Sequence, residues 1–207
     1  MSGRSGRKAS RRDDGRDQDG GEGARAAPPS LVHATALAVR VDGGPGARAT
    51  RDFGVLLRGP SGAGKSDLAF RMIEAGDARL IADDRTDLTL GPSGPILQAP
   101  PALAGRIELR GLGVAALRPE ECAASAGLSL IVDLVPRAAV PRLPEPLRET
   151  VLGVAVPALR LHAFDVSTPA KIRRALALIA SRETGADGAD DDADADAIGP
   201  LVSGSAS

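Results

Sequence analysis

The chain of 207 residues suits one core with tails better than two domains. Its 26 Lys+Arg and 27 Asp+Glu leave a net charge of -1, which argues against a nucleic-acid-binding core even though residues 4–16 are basic and 187–196 acidic. The single Cys122 excludes an internal disulfide framework and a thiolate zinc cluster, and no apolar run approaches the roughly 20 residues of a spanning helix, so no membrane partner is expected and the cytoplasm is the expected compartment.

Hydrophobic residues make up 43% of the chain, but Trp and Tyr are absent and there are three Phe, so Leu, Val, Ile and Ala must build the core. Residues 1–30 are rich in Gly, Arg, Asp and Ser and bury too little to offset their ordering entropy, which predicts a disordered arm. The folded domain is then expected over 31–182, with an acidic disordered tail over 183–207.

Within the domain, residues 31–41 alternate as a strand and 53–57 form a short apolar run. The Gly/Pro-rich stretch between them makes a hairpin the economical reading. Residues 66–75 place Leu68, Ala69, Met72 and Ile73 at helical spacing, with Gly76 as a stop. Residues 79–82 read as a short strand ending at Asp83-Asp84, and 86–90 and 96–99 flank a Gly91-Pro92-Ser93-Gly94 turn. Residues 129–135 and 151–156 read as buried strands. Thr168-Pro169 opens a last helix as N-cap and first-turn proline, with Ile172, Ala175, Leu176 and Ile179 on one face. Strands joined by turns, together with strands followed by helices, predict an α/β domain with a mixed sheet.

Gly59-Pro60-Ser61-Gly62-Ala63-Gly64-Lys65-Ser66 fits the phosphate-binding P-loop pattern in full, between an apolar strand and an amphipathic helix. Its glycines let successive amides point at phosphate oxygens, Lys65 reaches the terminal phosphates and Ser66 supplies a Mg²⁺ ligand. Asp83 and Asp84 end a strand one helix downstream, where a carboxylate holds Mg²⁺ or accepts a hydroxyl proton. The alternative is a polar junction in which Asp84 or Asp87 caps backbone amides. Asp133, ending the apolar run Leu130-Ile131-Val132, is a rival Mg²⁺ carboxylate. Glu108 and Arg110 stand two apart before Gly111 and Gly113, read either as a site or as a surface ion pair before a turn. His33 reads as a half-buried strand histidine and Cys122 as a small buried hydrophobe.

Val32-His33-Ala34-Thr35, the loop through Asp67, Leu80-Ile81-Ala82-Asp83-Asp84-Arg85 and Ile107-Glu108-Leu109-Arg110-Gly111-Leu112-Gly113-Val114, in this order, closely resemble the catalytic domain of HPr kinase/phosphorylase, in a short form without a separate N-terminal domain. The resemblance implies a PEP-carboxykinase-like P-loop fold and a homohexamer. It also implies an enzyme that phosphorylates a serine of the phosphocarrier HPr from ATP or pyrophosphate and removes that phosphate by attack of inorganic phosphate. On the family's motifs, Lys65 and its neighbouring amides hold the donor phosphates and Ser66 and Glu108 bind Mg²⁺. Asp83 is the acid/base, His33 the active-site histidine and Arg142 the match for the active-site arginine. The family's Arg- and Gly-rich dephosphorylation loop is represented only by Val156-Pro157-Ala158-Leu159-Arg160-Leu161-His162. Other functions open to the loop are a small-molecule kinase, a regulatory NTPase or a non-catalytic nucleotide-gated interaction module. A GTPase is disfavoured because no Asn-Lys-x-Asp sequence is present.

Overall fold

The computed structural model describes residues 30–41 and 50–185, with side chains to 183. Residues 1–29 of the expected arm over 1–30, residues 42–49 of the expected turn over 42–52 and most of the acidic tail lie outside the described residues, whereas Ser30 opens the first strand and Arg51 and Asp52 the third.

The first strands are β1 (Ser30–Val32), β2 (Thr35–Val41) and β3 (Arg51–Arg58), followed by helix α1 (Lys65–Glu74). Next come β4 (Ala78–Ala82), β5 (Thr86–Gly91), β6 (Gly94–Gln98), β7 (Arg106–Leu109), β8 (Gly113–Ala116) and β9 (Ser125–Leu134). The hairpin β10 (Leu147–Val151) and β11 (Val154–Leu161) precedes helix α2 (Thr168–Gly185). Among the described residues, nine strands form one mixed sheet with the path β1-β5-β6-β9-β3-β2-β4, and β11 joins it through β9. β9 is the pivot. Its start pairs antiparallel with β6, and its later residues pair parallel with both β3 and β11. β7 and β8 form a separate hairpin.

Side-chain alternation divides the apolar residues of the central strands between two cores. Leu37 and Val39 of β2, Val55 and Leu57 of β3, and Leu130 and Val132 of β9 pack with Leu68 and Met72 of α1 and Ile172 and Leu176 of α2. Their neighbours Ala36, Ala38, Leu56 and Ile131 face the other way, onto Leu88 of β5 and Leu97 of β6. The sheet is therefore buried on both faces without one large aromatic cluster, and Phe53 is the one phenylalanine in the core. No helix among the described residues is long and apolar enough to cross a membrane.

Several elements differ from expectation. Residues 31–41 are two strands separated by a bend at His33-Ala34, and β1 pairs with β5. The run 151–156 is the tip of a hairpin and no single strand. Leu152 (φ 48) and Gly153 (φ 84) both adopt positive φ, the pattern of a tight two-residue turn. Thr168 is the first residue of α2 and does not cap it, since its buried hydroxyl donates to the His162 carbonyl at 2.7 Å. α2 also continues past 182, and Glu183 pairs with Arg51 at 3.0 Å.

Candidate functional site

β3 delivers the chain to the glycine loop, and α1 starts at Lys65. Gly64, the residue before the helix, has φ 91 and makes no side-chain cap, so the orphan first-turn amides of α1 receive no capping oxygen from it. A side chain at this position would be excluded twice. The left-handed φ strains any L-residue, and an added Cβ would stand 2.7 Å from Ala163 Cβ and 2.8 Å from the Phe164 ring.

The loop opens on a cleft of about 420 Å³. Its walls include Ser61, Gly62, Lys65, Ser66 and Asp67 from the loop and α1, His33, Asp83 and Asp84 from the strand ends, and Glu108 and Arg110 from the β7–β8 hairpin. Lys65 is 7% exposed, and its Nζ donates to the carbonyls of Gly59 (2.8 Å) and Pro60 (3.1 Å), the loop's own backbone.

Asp83, 6% exposed, is the centre of a hydrogen-bond knot. Its Oδ1 accepts from Thr35 Oγ1 at 2.7 Å and from Ser66 Oγ at 2.9 Å, while its Oδ2 lies 3.1 Å from Ser66 Oγ and accepts from the Glu108 backbone N–H at 3.0 Å. Four segments distant in sequence meet on one carboxylate. A carboxylate offers about four acceptor positions, so three donors leave one free. Asp84, at φ 65, turns away from the strand and pairs with His33 Nδ1 at 3.1 Å. Both side chains are more than half exposed, so this pair is a solvent-screened contact at the mouth of the cleft.

Most of the residues singled out in the sequence are thus gathered in one place: His33, Lys65, Ser66, Asp83 and Glu108 all line the cleft. Arg142 does not. It lies exposed between β9 and β10, in a loop that Pro136, Pro141, Pro144 and Pro146 keep out of regular pairing, and it is absent from the cleft walls. The guanidinium at the cleft is that of Arg110, whose Nη2 is the atom nearest the open side of Gly62. Of residues 156–162, set against the family's dephosphorylation loop, 156–161 belong to β11, where 156–158 pair with β10 and 158–161 with β9, and His162 follows the strand.

Asp133 is removed from contention by the pleat. It shares the face of Ile131, away from α1, and accepts two hydrogen bonds from Arg58, from Nε at 2.8 Å and Nη2 at 2.9 Å. The same guanidinium donates to Glu149 at 2.6 and 2.5 Å. The hydrogen bond to Glu149 is the main cause that raises the Arg58 pKa, and its counterpart holds the Glu149 carboxyl below the ordinary range. Cys122 is partly buried, and desolvation pushes its thiol up, as suits a packing residue.

Thr35, Phe70, Leu112 and Phe164 were not singled out in the sequence as chemistry-bearing, yet Thr35 binds Asp83 and the other three line the cleft. A signal for the phenylalanines was available: in a chain with three aromatic side chains, each one outside the core calls for an explanation.

An α/β domain with a glycine loop opening on a Lys, Ser and carboxylate cleft is the class of protein that the fold and site define. Residues 49–183, about two thirds of the chain, match the family model described as the HPr Serine kinase C-terminal domain, and the chain belongs to that family. It is 46% identical over 63 residues to the HPr kinase/phosphorylase of Lacticaseibacillus casei (strain BL23), covering 30% of this chain and 19% of that protein. The HPr kinase/phosphorylase of Burkholderia cenocepacia (strain HI2424) matches at the same identity and coverage. The aligned part is thus about a fifth of the length of these curated relatives. The solved structure of the Hpr(Ser) kinase/phosphatase from Coxiella burnetii superposes with a TM-score of 0.63 at 24% identity, over 76% of this chain and 94% of that one, which establishes the shared fold.

Proposed function

We propose that this domain is a P-loop, PEP-carboxykinase-like phosphotransferase that moves a phosphoryl group from ATP or pyrophosphate to a serine of HPr or an HPr-like protein, and returns it to inorganic phosphate. The observation that carries this reading is the knot on Asp83. A buried carboxylate bonded to the P-loop Ser66 and to the Glu108 amide stands beside an uncapped helix start, the combination that phosphoryl transfer requires.

Donor phosphates would lie on the first-turn amides of α1. Lys65 would exchange a loop carbonyl for a phosphate oxygen, and Arg110 would supply a second positive charge from the hairpin. Residue chemistry fits a hard divalent cation. The Ser66 hydroxyl donates to Asp83 and so keeps its lone pairs, and the Glu108 carboxylate lines the same cleft. No cluster of three or more His, Cys, Asp or Glu among the described residues forms an all-protein cage, and Mg²⁺ characteristically completes its shell with phosphate and water. Held by Ser66 and Glu108, Mg²⁺ would supply neutralisation of charge on the transferring phosphoryl group.

In the forward direction the substrate serine Oγ forms a bond to the terminal phosphorus, while the bond to the bridging oxygen breaks and its electron pair leaves with ADP. Asp83 takes the serine proton, using the acceptor position its three donors leave free. In the reverse direction an oxygen of inorganic phosphate attacks the phosphoserine phosphorus. Asp83, now protonated, returns the proton to the departing serine oxygen, and pyrophosphate is released. His33, held by Asp84, stands at the cleft mouth where the incoming serine segment would pass. Arg142 takes no part within one chain. A homohexamer is the assembly that accompanies this reading, and light scattering on the full chain tests it directly.

The test of the reaction is incubation with Mg²⁺, γ-labelled ATP and the HPr-like protein of the same source, followed by inorganic phosphate. Label should enter a serine of that protein and then leave as pyrophosphate, and Lys65→Ala should abolish both steps. Transfer unaffected by Lys65→Ala would overturn the phosphate-loop reading.

A further inference from the structure

Apart from the imidazoles of its two histidines, the chain has three aromatic side chains, each a phenylalanine. Phe53 is buried in the core at 2% exposure. The other two, Phe70 of α1 and Phe164 from the segment between β11 and α2, both line the cleft. Phe164 is 55% exposed, so its ring is open to whatever occupies the cleft.

The segment carrying Phe164 is firmly built. The hydroxyl of Thr168 donates to the His162 carbonyl, the Thr168 amide donates to the Asp165 carbonyl, and His162 Nδ1 lies 3.1 Å from the Val135 carbonyl. Arg71 of α1 donates to the Ala163 carbonyl, and Arg137 pairs with Asp165 at 3.2 Å. The ring itself stands edge-on to His162, with centroids 5.6 Å apart. It is therefore held in position without being buried, and it sits against Gly64, the residue immediately before Lys65.

We infer that Phe164 is a stacking platform for the base of the donor nucleotide, so that the cleft is built for a nucleoside triphosphate in preference to an inorganic polyphosphate. This rests on the reading of the loop as a phosphate site. With phosphates on the α1 amides, the sugar and base must leave the loop along the cleft, whose rings are Phe164, Phe70 and His33, and the His33 ring is engaged with the Asp84 carboxylate. Stacking uses the π-face of a base and needs no hydrogen bond to its edge. Inorganic pyrophosphate has no apolar part and gains nothing from the ring.

Calorimetric titration of the full chain with Mg·ATP and with Mg·tripolyphosphate separates base from phosphate. In Phe164→Ala, affinity for Mg·ATP should fall roughly tenfold while affinity for Mg·tripolyphosphate changes by less than about twofold, and Phe164→Tyr should restore Mg·ATP binding. Equal weakening of both ligands would overturn the inference by making the ring a support of the loop. Weakening of neither would also overturn it, and a raised KM for the protein substrate alone would reassign the ring to protein docking. Lys65→Ala is the control for the underlying reading and should weaken both ligands. If the parent chain binds neither ligand, or Lys65→Ala weakens neither, the phosphate site falls and the platform with it. If Lys65→Ala weakens both and Phe164→Ala weakens neither, the platform alone falls.

Discussion

Asp83→Asn tests the knot most directly, because the substitution keeps the shape and removes the charge. The amide has one oxygen. If that oxygen keeps Thr35 and Ser66, the new NH₂ faces the Glu108 N–H across the 3.0 Å now spanned by an N–H···O⁻ bond, donor against donor. A hydrogen bond to a charged group contributes about 1.5–3 kcal/mol. Water at the open side of the cleft can recover part of this, so a stability loss of about 1–3 kcal/mol is expected. Each kcal/mol lowers Tm by about 2–4 °C in a domain of this size, a shift that calorimetry resolves. The chemical effect should be far larger. Loss of general acid–base help lowers the rate roughly 10²- to 10⁴-fold, in the kinase and phosphorylase directions alike because the same proton moves in both. Affinity for Mg·ATP should stay within several-fold of the parent, since Lys65, Ser66 and Glu108 remain. Near-parental rates in both directions would refute the acid/base role and point to Asp84. A parallel collapse of Mg·ATP affinity and rate would make Asp83 a group that places Ser66 and the metal.

Gly64→Ala should abolish nucleotide binding and destabilise the domain by about 1–3 kcal/mol, combining the left-handed penalty with the collision against Ala163 and Phe164. A variant with parental melting and Mg·ATP binding would show that the loop adopts another conformation in solution. For Glu149, whose folded-state pKa lies below the ordinary 4.5, the Arg58 contact stabilises the fold above that value and is lost as pH falls through the folded pKa. Urea denaturation from about pH 6 down to about pH 3 should therefore show an acid-side loss that is reduced in Glu149→Gln, and modest because both partners are partly solvated. An unchanged pH profile in the variant would remove the ion pair from the acid response.

Much of the fold was legible because each local signal agreed with the global one. The 3.6-residue spacing of Leu68, Met72 and their neighbours, the turn at Gly91–Gly94 and the apolar run before Asp133 all mark real elements. The failures have physical causes. Val151 to Val156 looks like continuous strand because every residue but Gly153 carries an apolar side chain, yet a two-residue reversal needs only two positive φ values, and Gly153 was the visible sign of one of them. Thr168 carries the side chain of an N-cap, but its hydroxyl is claimed by a carbonyl that sequence places six residues upstream and does not orient. For the cleft, motif order brought together His33, Lys65, Ser66, Asp83 and Glu108, whereas the role of Thr35, though it stands inside one of those motifs, and the presence of Phe164 emerge only from tertiary contacts at Asp83 and Gly64. Arg142 illustrates the limit of matching by residue type, since a proline-rich connection carries no periodicity from which to infer its direction.

The choice between Asp83 and Asp133 turns on a property that a motif does not encode. Each comes after a run of apolar residues next to the elements that carry the loop, but Asp83 follows β4 whereas Asp133 is still a paired residue of β9, opposite Arg58 of β3. What separates them is side-chain parity. Val132 faces the helices, so Asp133, one residue on, faces the opposite core, where Arg58 meets it. Asp83 has passed beyond the last paired residue of β4 and is free of that alternation, and the Asp83 carbonyl accepts from the Arg85 amide in the turn that follows. In the proposed reaction, therefore, it is the strand end rather than the strand that supplies the carboxylate for proton transfer. Arg58 completes the argument from the other side: the last residue before the loop is tied to β9 through Asp133 and to β10 through Glu149, so the three strands beneath the loop are linked on the face away from the cleft. The acidic residue that resembles a metal ligand in sequence is thus part of the base on which the glycine loop is mounted, leaving Asp83 with Ser66 to face the cleft.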